Sequence, residues 1–538
     1  MELSSSFRKS LYMASAEDAP RLGLDDGCKA AGRLAMFRSR TGRLSHIVVV
    51  EVNQKNFKTL WPYLLISLKE ASFVAIDLEL SGLGICQGWN SLNIEERYGA
   101  IREGARTRSI LSLGISTFKL LKRKETRQKK RIRYKCQVFN ILTFCMDPFI
   151  VEPSSLQFLV RNKFDLNRLV ELGVPYYFSS SDKVKSTVID GLENVKPFSL
   201  NLDGFQNDMP YRLRVDIATN FQENSLKILW KQILERNIPL MLHNGLVDLI
   251  FLYQQFYADL PEKLAEFVTN ISDWFPDASA CIYDSKYFSE YCVRMNASFL
   301  EYVFRKCQRE NAVEASFSRL YVSIEFDSSM LSVSSLSDAI DIVSCQLPEG
   351  FYLADVKVNV PNEEERRCIC PKYAVYGFCN SKSSCSLLHN IDAVLDVEEL
   401  RQAKLRSRRK RRYDFSTKSI AVNNDEVQYL KGEQTKVAGL ENPETKKNST
   451  RCHKAGVDSF MTGFSMAYMS RMKLLRSGTF EFDCSNRLPL PGKMIPLVIR
   501  KYEHTARTHD HLEIWDSIKS ERRKRLGSLG AVDQLQSE

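Results

Sequence analysis

No stretch of this 538-residue chain is apolar for long enough to cross a membrane. A transmembrane helix needs about 20 consecutive apolar residues, and the sequence has no such run. It also shows no secretory signal, and its 14 cysteines are not clustered as a disulfide framework. We therefore expect a protein of a reducing compartment with no membrane partner.

The chain also has fewer negative than positive side chains. The chain carries 76 Lys and Arg against 65 Asp and Glu, which gives a formal net charge of +11. Such a surplus favours an acidic partner, although the two basic clusters described below exceed it by themselves. The length allows roughly two to four domains.

Two carboxylates stand out in the apolar segment Phe73–Leu80. The segment reads FVAIDLEL and is predicted to be a strand with Asp77 and Glu79 on one face, because strand side chains alternate. Buried charge is costly, and neighbouring carboxylates raise each other's pKa unless a cation separates them. A divalent metal would resolve this conflict. The alternative is a pair of acids at a strand end that face solvent or pair with Arg.

Two further acids are each predicted in the first turn of a helix. Asp248 follows a short apolar run and the turn around His243 and Asn244, and apolar residues then recur at helical spacing. His453 precedes Asp458 at the start of a second amphipathic helix. An ordinary alternative exists for both acids, because the helix dipole favours a carboxylate in the first turn.

The order Asp-x-Glu, then Asp, then His-x4-Asp resembles that of the DEDDh 3′→5′ exonucleases. Other segments resemble the poly(A)-specific ribonuclease group of deadenylases, among them FVAIDLELSGLG, EERY, ILSLG, HNGLVDLIFLYQQFY and HKAGVDSFMTGFSMAYM. The resemblance covers roughly residues 45–320 and 360–505. It implies an α/β protein with the RNase-H-like fold of DEDD exonucleases, a mixed sheet flanked by helices.

Hydrolysis of a phosphodiester needs a nucleophile made from water and a means of stabilising the leaving oxygen. Two Mg²⁺ ions about 4 Å apart can provide both, and Mg²⁺ prefers carboxylate oxygens. The expected ligands of the two ions are the four acids, Asp77, Glu79, Asp248 and Asp458. His453 is the expected general base, a role for which imidazole has a suitable pKa. His243 and Asn244 are candidates for contacting RNA or for capping the helix.

A second cluster has the spacing of a CCCH zinc finger. Cys370, Cys379, Cys385 and His389 follow one another as Cys-x8-Cys-x5-Cys-x3-His, and three thiolates with one imidazole satisfy one tetrahedral Zn²⁺. Cys368 is a spare thiol. Fingers of this type resemble single-stranded RNA binders, in which aromatic rings stack on bases. The candidate rings are Tyr373, Tyr376 and Phe378, and packing of the small finger core is the alternative.

Two dense basic clusters complete the pattern. The first spans residues 404–412 and consists of Lys404, Arg406, Arg408, Arg409, Lys410, Arg411 and Arg412. It indicates a nuclear import signal or a nucleic-acid patch, and its place in a polar linker favours import. The second spans residues 119–135, between two predicted strands. We expect it at a hairpin tip, where it could contact the RNA backbone.

These features predict a nuclease domain in two parts, because Asp248 and Asp458 must meet in one site. The expected order is a disordered N-terminus (1–44), the first nuclease part (45–305), a connecting segment (306–365), the finger (366–392), a disordered basic linker (393–450), the completing nuclease part (451–505) and a mobile tail (506–538). The finger and the linker are then an insertion within the nuclease domain.

The expected function is that of a nuclear, Mg²⁺-dependent 3′→5′ exoribonuclease that removes 3′ adenosine tails from RNA. The resemblance adds small nuclear RNA 3′-end maturation, with nuclear speckles and Cajal bodies as locations. The implied partners are RNA with a 3′ adenosine tail, a nuclear import receptor and small nuclear RNA–protein complexes. The alternatives are an RNA-binding scaffold with an inactive nuclease fold, and a DNA exonuclease, because the same chemistry cuts either backbone.

Overall fold

A central sheet organises the chain. The computed structural model describes residues 44–84, 91, 93–121, 130–178, 225–276, 281–327, 338–348, 351, 368–381, 384–417 and 454–535, with the backbone alone for 407–417 and 526–535. The strands of the sheet are His46–Val52 (β1), Phe73–Leu80 (β2), Ile110–Leu120 (β3), Arg131–Cys145 (β4), Val174–Tyr176 (β5), Leu240–Leu242 (β6), Ile282–Asp284 (β7), Tyr321–Phe326 (β8) and Ile340–Ser344 (β9). A separate two-stranded pair consists of Arg487–Leu488 (β10) and Leu497–Val498 (β11).

The strand order is β7-β6-β2-β3-β4-β1-β9, and β5 and β8 also pair with β4. Strand β3 is antiparallel to both of its neighbours, β2 and β4. The pairings β2–β6, β6–β7, β1–β4, β4–β5 and β4–β8 are parallel. The fold is therefore mixed α/β with a mostly parallel sheet, in agreement with the mixed sheet predicted from the sequence.

Helices cover both faces of the sheet. The α-helices of six residues or more in the described part of the chain are Phe57–Glu70 (α1), Ile94–Thr107 (α2), Pro153–Arg161 (α3), Leu166–Leu172 (α4), Ser225–Arg236 (α5), Leu246–Phe256 (α6), Leu264–Ser272 (α7), Leu300–Ser316 (α8), Pro371–Tyr376 (α9), Ile391–Thr417 (α10), Ala455–Met469 (α11), Arg471–Ser477 (α12) and His509–Leu535 (α13). One apolar core packs α1, α2, α5, α6 and α7 against the sheet. A second core includes residues of α8, α10 and α11.

Several predicted elements are confirmed. Strand β2 has the predicted bounds, and β3 and β4 form the predicted antiparallel hairpin. Asp248 and Asp458 each lie in the first turn of a helix, α6 and α11. Local periodicity was sufficient for these elements because each has a continuous apolar face.

The prediction of a disordered linker over 393–450 is wrong for its first part, which belongs to helix α10. The acidic start of α10 pairs with a basic stripe on α8. Arg305 lies 2.7 Å from Asp392, and Arg309 lies 2.9 Å from Glu399. These ion pairs hold a helix whose own composition resembles a solvated linker.

The prediction of a mobile tail over 506–538 is also wrong, because helix α13 occupies most of this range. Trp515 and Ile518 are buried in the core beside α5 and α7. Asp273 anchors the start of the helix, since it pairs with Arg507 and lies 3.0 Å from the buried His511 ring. The two apolar residues are sparse among charged ones, which is why the amphipathic pattern was missed.

Residues 306–365, which were predicted to be a connecting segment, contribute to the fold of the nuclease domain. They include the end of α8 and two strands of the central sheet, β8 and β9. The expectation of a disordered N-terminus covers residues 1–44, of which 1–43 lie outside the described residues, and Leu44 is buried.

Candidate metal and nuclease site

Strand β2 directs its two acids toward the face of the sheet that α11 covers. Phe73 and Ala75 belong to the core beneath α11, whereas Val74 belongs to the core on the opposite face. Asp77 and Glu79 continue the first set, as the strand period of two requires. Asp77 is half-buried and Glu79 is buried. The two acids therefore lie at the end of an apolar strand and beneath a helix.

Helix α11 brings Asp458 to the same place from far along the chain. Asp458 is buried in the first turn of this helix. Asp77, Glu79 and Asp458 each offer a carboxylate oxygen, and these oxygens lie within 4.8 Å of one another. Three acids that the sequence placed in two distant segments thus meet in one cluster.

The fourth acid, Asp248, approaches this cluster from the first turn of α6, the helix that follows β6. Its charge is one of the causes that raise the pKa of Asp77. Burial raises the pKa of Asp248, and a backbone hydrogen bond from Leu78 of β2 to its carboxylate acts against this to a smaller extent. Asp248 is outside the set of oxygens that lie within 4.8 Å of one another. It is therefore a neighbour of the cluster, on the side of β6.

A buried carboxylate that sequence reasoning missed holds the turn between β6 and α6, the helix that carries Asp248. Asp284, at the end of β7, accepts hydrogen bonds from the backbone N–H groups of Asn244 (3.1 Å) and Gly245 (2.8 Å). Asn244 has a φ of 58°, a left-handed conformation that Asn tolerates better than most residues. The available signal was the position of Asp284 directly after a short apolar run. Parallel strands that end at one edge bring such acids together.

The electrostatics of the cluster favour a bound cation. Burial, followed by the charges of Asp458, Asp248 and Glu79, raises the pKa of Asp77 well above its usual range. Burial also raises the pKa of Asp248 to about 7 and that of Asp284 to about 6. A divalent cation would reverse the repulsion and favour the ionised carboxylates. Because the donors are all carboxylate oxygens, they fit Mg²⁺ or Mn²⁺ better than softer metals.

His243 and Asn244 lie in the turn between β6 and α6 and help to hold it in place. The His243 Nδ1 atom lies 2.7 Å from the Ser285 hydroxyl oxygen. Burial, followed by the charge of Lys286, lowers the pKa of His243 to about 3, so that its ring is neutral near pH 7. These contacts account for both residues as parts of the turn between β6 and α6, and their contact with RNA stays a prediction.

His453, the predicted general base, lies outside the described residues. Its neighbour Lys454 is described and immediately precedes α11, as the N-cap residue. The role of His453 therefore stays a prediction.

The four predicted zinc ligands also come together. Cys370, Cys379, Cys385 and His389 each offer a ligand atom within 4.8 Å of the others. The Nε2 atom of His389 is buried and has no hydrogen-bond partner within the described part of the chain. Three thiols and one imidazole are a donor set that fits Zn²⁺. The spare thiol, Cys368, is exposed and is not in this group.

The three aromatic candidates of this segment differ in their surroundings. Tyr373 stacks on His389 with ring centroids 5.1 Å apart and lies 6.1 Å from the Phe299 ring. Tyr376 and Phe378 are each 62% exposed, and their ring centroids are 6.0 Å apart. Tyr373 therefore packs the segment against the body of the protein, and the other two rings face solvent.

The basic clusters are described only in part. In the 119–135 cluster, Arg133 lies 2.7 Å from Glu325 and Lys135 lies 2.7 Å from Asp327, both acids at or after β8. The expected hairpin tip, residues 122–129, lies outside the described residues. Contact of this cluster with RNA stays a prediction, but Lys119, Arg131, Arg133 and Lys135 already pair with acidic residues of the protein.

The 404–412 cluster belongs to helix α10, in which Lys404 and Arg406 are exposed. Its place in a polar linker was the reason for preferring an import signal, and that reason does not hold for a helix. An import function stays a prediction that now rests on composition alone.

Comparison with known proteins identifies the family. The CAF1 family of ribonucleases matches residues 52–466, which is more than half of the chain, and the chain belongs to this family. It is 29% identical over 140 residues to Poly(A)-specific ribonuclease PARN of Danio rerio, a match that covers 24% of this chain and 20% of that protein. It is 26% identical over 148 residues to PARN of Xenopus laevis, covering 25% and 22% respectively. The chain thus matches only about a fifth of the length of these curated relatives.

A solved structure of S. pombe Pop2p, in its Mg²⁺- and Mn²⁺-bound form, is similar at 12% identity with a TM-score of 0.32. The match covers 48% of this chain and 82% of that chain. Among the described residues, no helix combines the length and apolarity that crossing a membrane would require.

Proposed function

We propose that this chain is a nuclear, Mg²⁺-dependent 3′→5′ exoribonuclease that removes 3′ adenosine tails from RNA. Membership of the CAF1 ribonuclease family supports the reaction class. The similarity to poly(A)-specific ribonucleases supports the adenosine preference. The observation that carries the proposal is the convergence of Asp77, Glu79 and Asp458, whose oxygens lie within 4.8 Å of one another.

The proposed ligands of two Mg²⁺ ions are Asp77, Glu79, Asp248 and Asp458. When bound, such ions lower the pKa of a coordinated water and stabilise charge on the leaving oxygen. The protein contributes the fixed positions of four carboxylates that repel one another, on β2, α6 and α11. His453, two positions before the first residue of α11 in the sequence, would accept the proton of the attacking water. Asp284 would hold the turn before α6, and with it Asp248, through its hydrogen bonds to the backbone of Asn244 and Gly245.

The finger is proposed to hold one Zn²⁺ through Cys370, Cys379, Cys385 and His389. The exposed Tyr376 and Phe378 are then the rings available to stack on unpaired bases, a sequence-tolerant mode of RNA binding. Together with the fold and the acid order, this completes the proposed architecture: an RNase-H-like DEDD exonuclease with an inserted CCCH finger.

The cellular setting is proposed from the resemblance of the sequence. The segments RTRSILSLG, IYDSKY and HKAGVDSFMTGFSMAYM are similar to target of early growth response protein one, a deadenylase of this group. The similarity leads to the proposal of small nuclear RNA 3′-end maturation in nuclear speckles and Cajal bodies. A nuclear import receptor would bind the 404–412 cluster. Deleting it should leave catalysis unchanged and move the protein to the cytoplasm.

The experiment uses the full-length protein with Mg²⁺ and 5′-labelled RNAs that end in runs of A, U or C, beside a DNA that ends in A. Ladder-like shortening of the A-tailed RNA from its 3′ end, faster than that of the others, is expected. Equal rates on all RNA ends would overturn the adenosine preference. Shortening of DNA at the same rate would favour a DNA exonuclease, and binding without shortening would favour the scaffold.

Asp77→Asn and Asp458→Asn should abolish shortening with little change in folding, because each keeps its shape and loses a ligand charge. A matched control is Glu70→Gln, which removes a surface carboxylate paired with Lys119 and should leave the rate unchanged. Persistent activity in Asp77→Asn would refute the metal assignment.

A further inference from the structure

One row of residues runs across four adjacent strands beneath the start of α11. Asp77 of β2 pairs with Gly114 of β3, and Gly114 pairs with Asn140 of β4. Asn140 in turn pairs with Glu51 of β1. Residues directly opposite one another on neighbouring strands point to the same face of a sheet. We name this set, Asp77, Gly114, Asn140 and Glu51, the cross-sheet row. Its first member is a proposed metal ligand.

The helix comes closest to the row at Gly114. A Cβ atom added at Gly114 would lie 2.0 Å from the carbonyl carbon and oxygen of Ala455 and 2.5 Å from the backbone nitrogen of Gly456. A Cβ atom added at Gly456 would lie 3.0 Å from the Cβ of Asn140. The absence of two side chains therefore lets the first turn of α11 rest directly on the strands.

The polar side chains at the far end of the cross-sheet row, Asn140 and Glu51, hold the first turn of α11 in place. The Asn140 side-chain oxygen accepts a hydrogen bond from the Gly456 N–H at 3.0 Å, and its amide group donates to Glu51 at 3.0 Å. Lys454 lies 2.7 Å from Glu51 and 2.5 Å from Asp341 of β9. Glu51, one partner of Asn140, is thus itself held by Lys454, the residue that immediately precedes α11.

We propose that Asn140, Glu51 and Lys454 are positioning residues that set Asp458 against Asp77 and so determine how well the site holds metal. This inference rests on the proposed function. Its geometric basis is that the same row carries both Asp77 and the anchors of the turn that holds Asp458.

Asn140, Glu51 and Lys454 determine where the start of α11 lies, and they are not needed for the helix to form. The apolar face of α11, which includes Val457, Phe460 and Phe464, is buried in the core and would keep the helix packed without them. The three polar residues instead hold the backbone just before Asp458, where a small shift would separate its oxygens from those of Asp77. Partners behind the ligands of a metal site tune its affinity in this way.

The test measures Mn²⁺ binding to the full-length protein by electron paramagnetic resonance, beside the steady-state kinetics of A-tail removal. Lys454→Met keeps the length of the side chain and removes its charge. Asn140→Leu removes, at similar volume, the hydrogen bonds to Gly456 and Glu51 and also the one that the Ser112 hydroxyl donates to Asn140 at 3.2 Å. We expect each to weaken Mn²⁺ binding by about 10–100-fold, to lower kcat at a given metal concentration and to leave KM for RNA unchanged. Lys454→Arg should restore metal affinity, because it keeps the charge.

The control is Lys473→Met, which removes a surface lysine of the nearby α12 that lies 3.5 Å from Glu481 and should change none of these quantities. Hydrogen exchange in the metal-free protein gives a readout that needs no activity, and the Gly456 amide should exchange faster in Asn140→Leu. A lower Tm with wild-type Mn²⁺ affinity and kcat in both variants would overturn the inference. If the wild type itself binds no Mn²⁺ and shortens no RNA, the proposed function fails. In that case the anchoring is still tested separately. The same rate of exchange at the Gly456 amide in Asn140→Leu and in the wild type would overturn it.

Discussion

The carboxylate site and the Cys3His cluster are built in opposite ways. The four finger residues all lie between positions 370 and 389, so their spacing along the chain already brings them close. The carboxylates come from separate elements, and only the register of β2, β3 and β4 under α11 brings them together. A substitution that disturbs the sheet should therefore damage the carboxylate site and spare the finger, and a substitution in the finger should do the reverse.

The largest expected effect is in the finger. Cys379→Ser should abolish stoichiometric zinc binding, because structural zinc sites contribute about 10–16 kcal/mol of binding free energy through all four ligands together. Zinc content, measured by atomic absorption on purified protein, should fall from one ion to none. Shortening of a short oligoadenylate should continue, since the carboxylates are on other elements. The matched control is Cys368→Ser, and an equal loss of zinc in this variant would contradict the assigned ligand set.

The next effect concerns the sheet. Gly114→Ala should destabilise the protein by about 3 kcal/mol, the upper end for overpacking, because its Cβ would collide with backbone atoms that cannot rotate away. Mn²⁺ affinity should fall as α11 is displaced, and zinc content should stay at one. Urea unfolding and metal titration measure the two effects. In the control Gly99→Ala the new Cβ meets nothing within 4 Å, and helix propensity should make it more stable by about 0.5–1 kcal/mol. Comparable stability of the two alanine variants would contradict the close approach of α11.

A third prediction uses pH in protein freed of Mg²⁺. Burial raises the pKa of Asp248 to about 7 in the folded state, so folded protein retains this proton after the unfolded chain has lost it. The contribution of Asp248 to the stability of the folded state is fully present below the pKa that this residue has in the unfolded chain. It is lost as pH rises through about 7. Asp248→Asn should therefore be more stable than wild type near pH 8 by an amount on the order of 1–3 kcal/mol and should lose this advantage near pH 4. Urea unfolding at both pH values measures it, and an equal difference at both would contradict the buried charge.

The smallest expected effect separates the three aromatic rings. Tyr376→Ala and Phe378→Ala should each weaken binding to single-stranded RNA by about 1–3 kcal/mol, the value of one stacked base. Folding should be unaffected, because both rings are exposed. Fluorescence anisotropy with labelled RNA is the measurement, and Val375→Ala, also exposed, is the control. If only Tyr373→Ala weakens RNA binding, the proposed division between a packing ring and two contacting rings is wrong.

What could be predicted from the sequence follows the same division. The alternation of β2, the hairpin of β3 and β4 and the first turns of α6 and α11 are local patterns, and each is confirmed. The close grouping of Cys370, Cys379, Cys385 and His389 also follows from local spacing. The meeting of Asp77 with Asp458 was inferred from a family resemblance, because no local pattern relates residues so far apart.

The features that were missed depend on partners distant in sequence. Helix α10 looked like a linker because its acids are neutralised by Arg305 and Arg309 of α8, a pairing that composition cannot reveal. Helix α13 looked like a tail because Trp515 and Ile518 are isolated among charges, although both are buried. Asp284 was overlooked for a similar reason, since its hydrogen bonds reach back to Asn244 and Gly245 on another loop.

The most direct measurement is a Mn²⁺ titration of the full-length protein, followed by electron paramagnetic resonance, for the wild type and for Asp77→Asn. The proposed site predicts that two Mn²⁺ ions bind close enough to the wild type for their spins to couple, and that Asp77→Asn loses the coupled signal and most of the affinity. An identical titration for the two proteins would contradict the claim that the converging acids hold the catalytic metals.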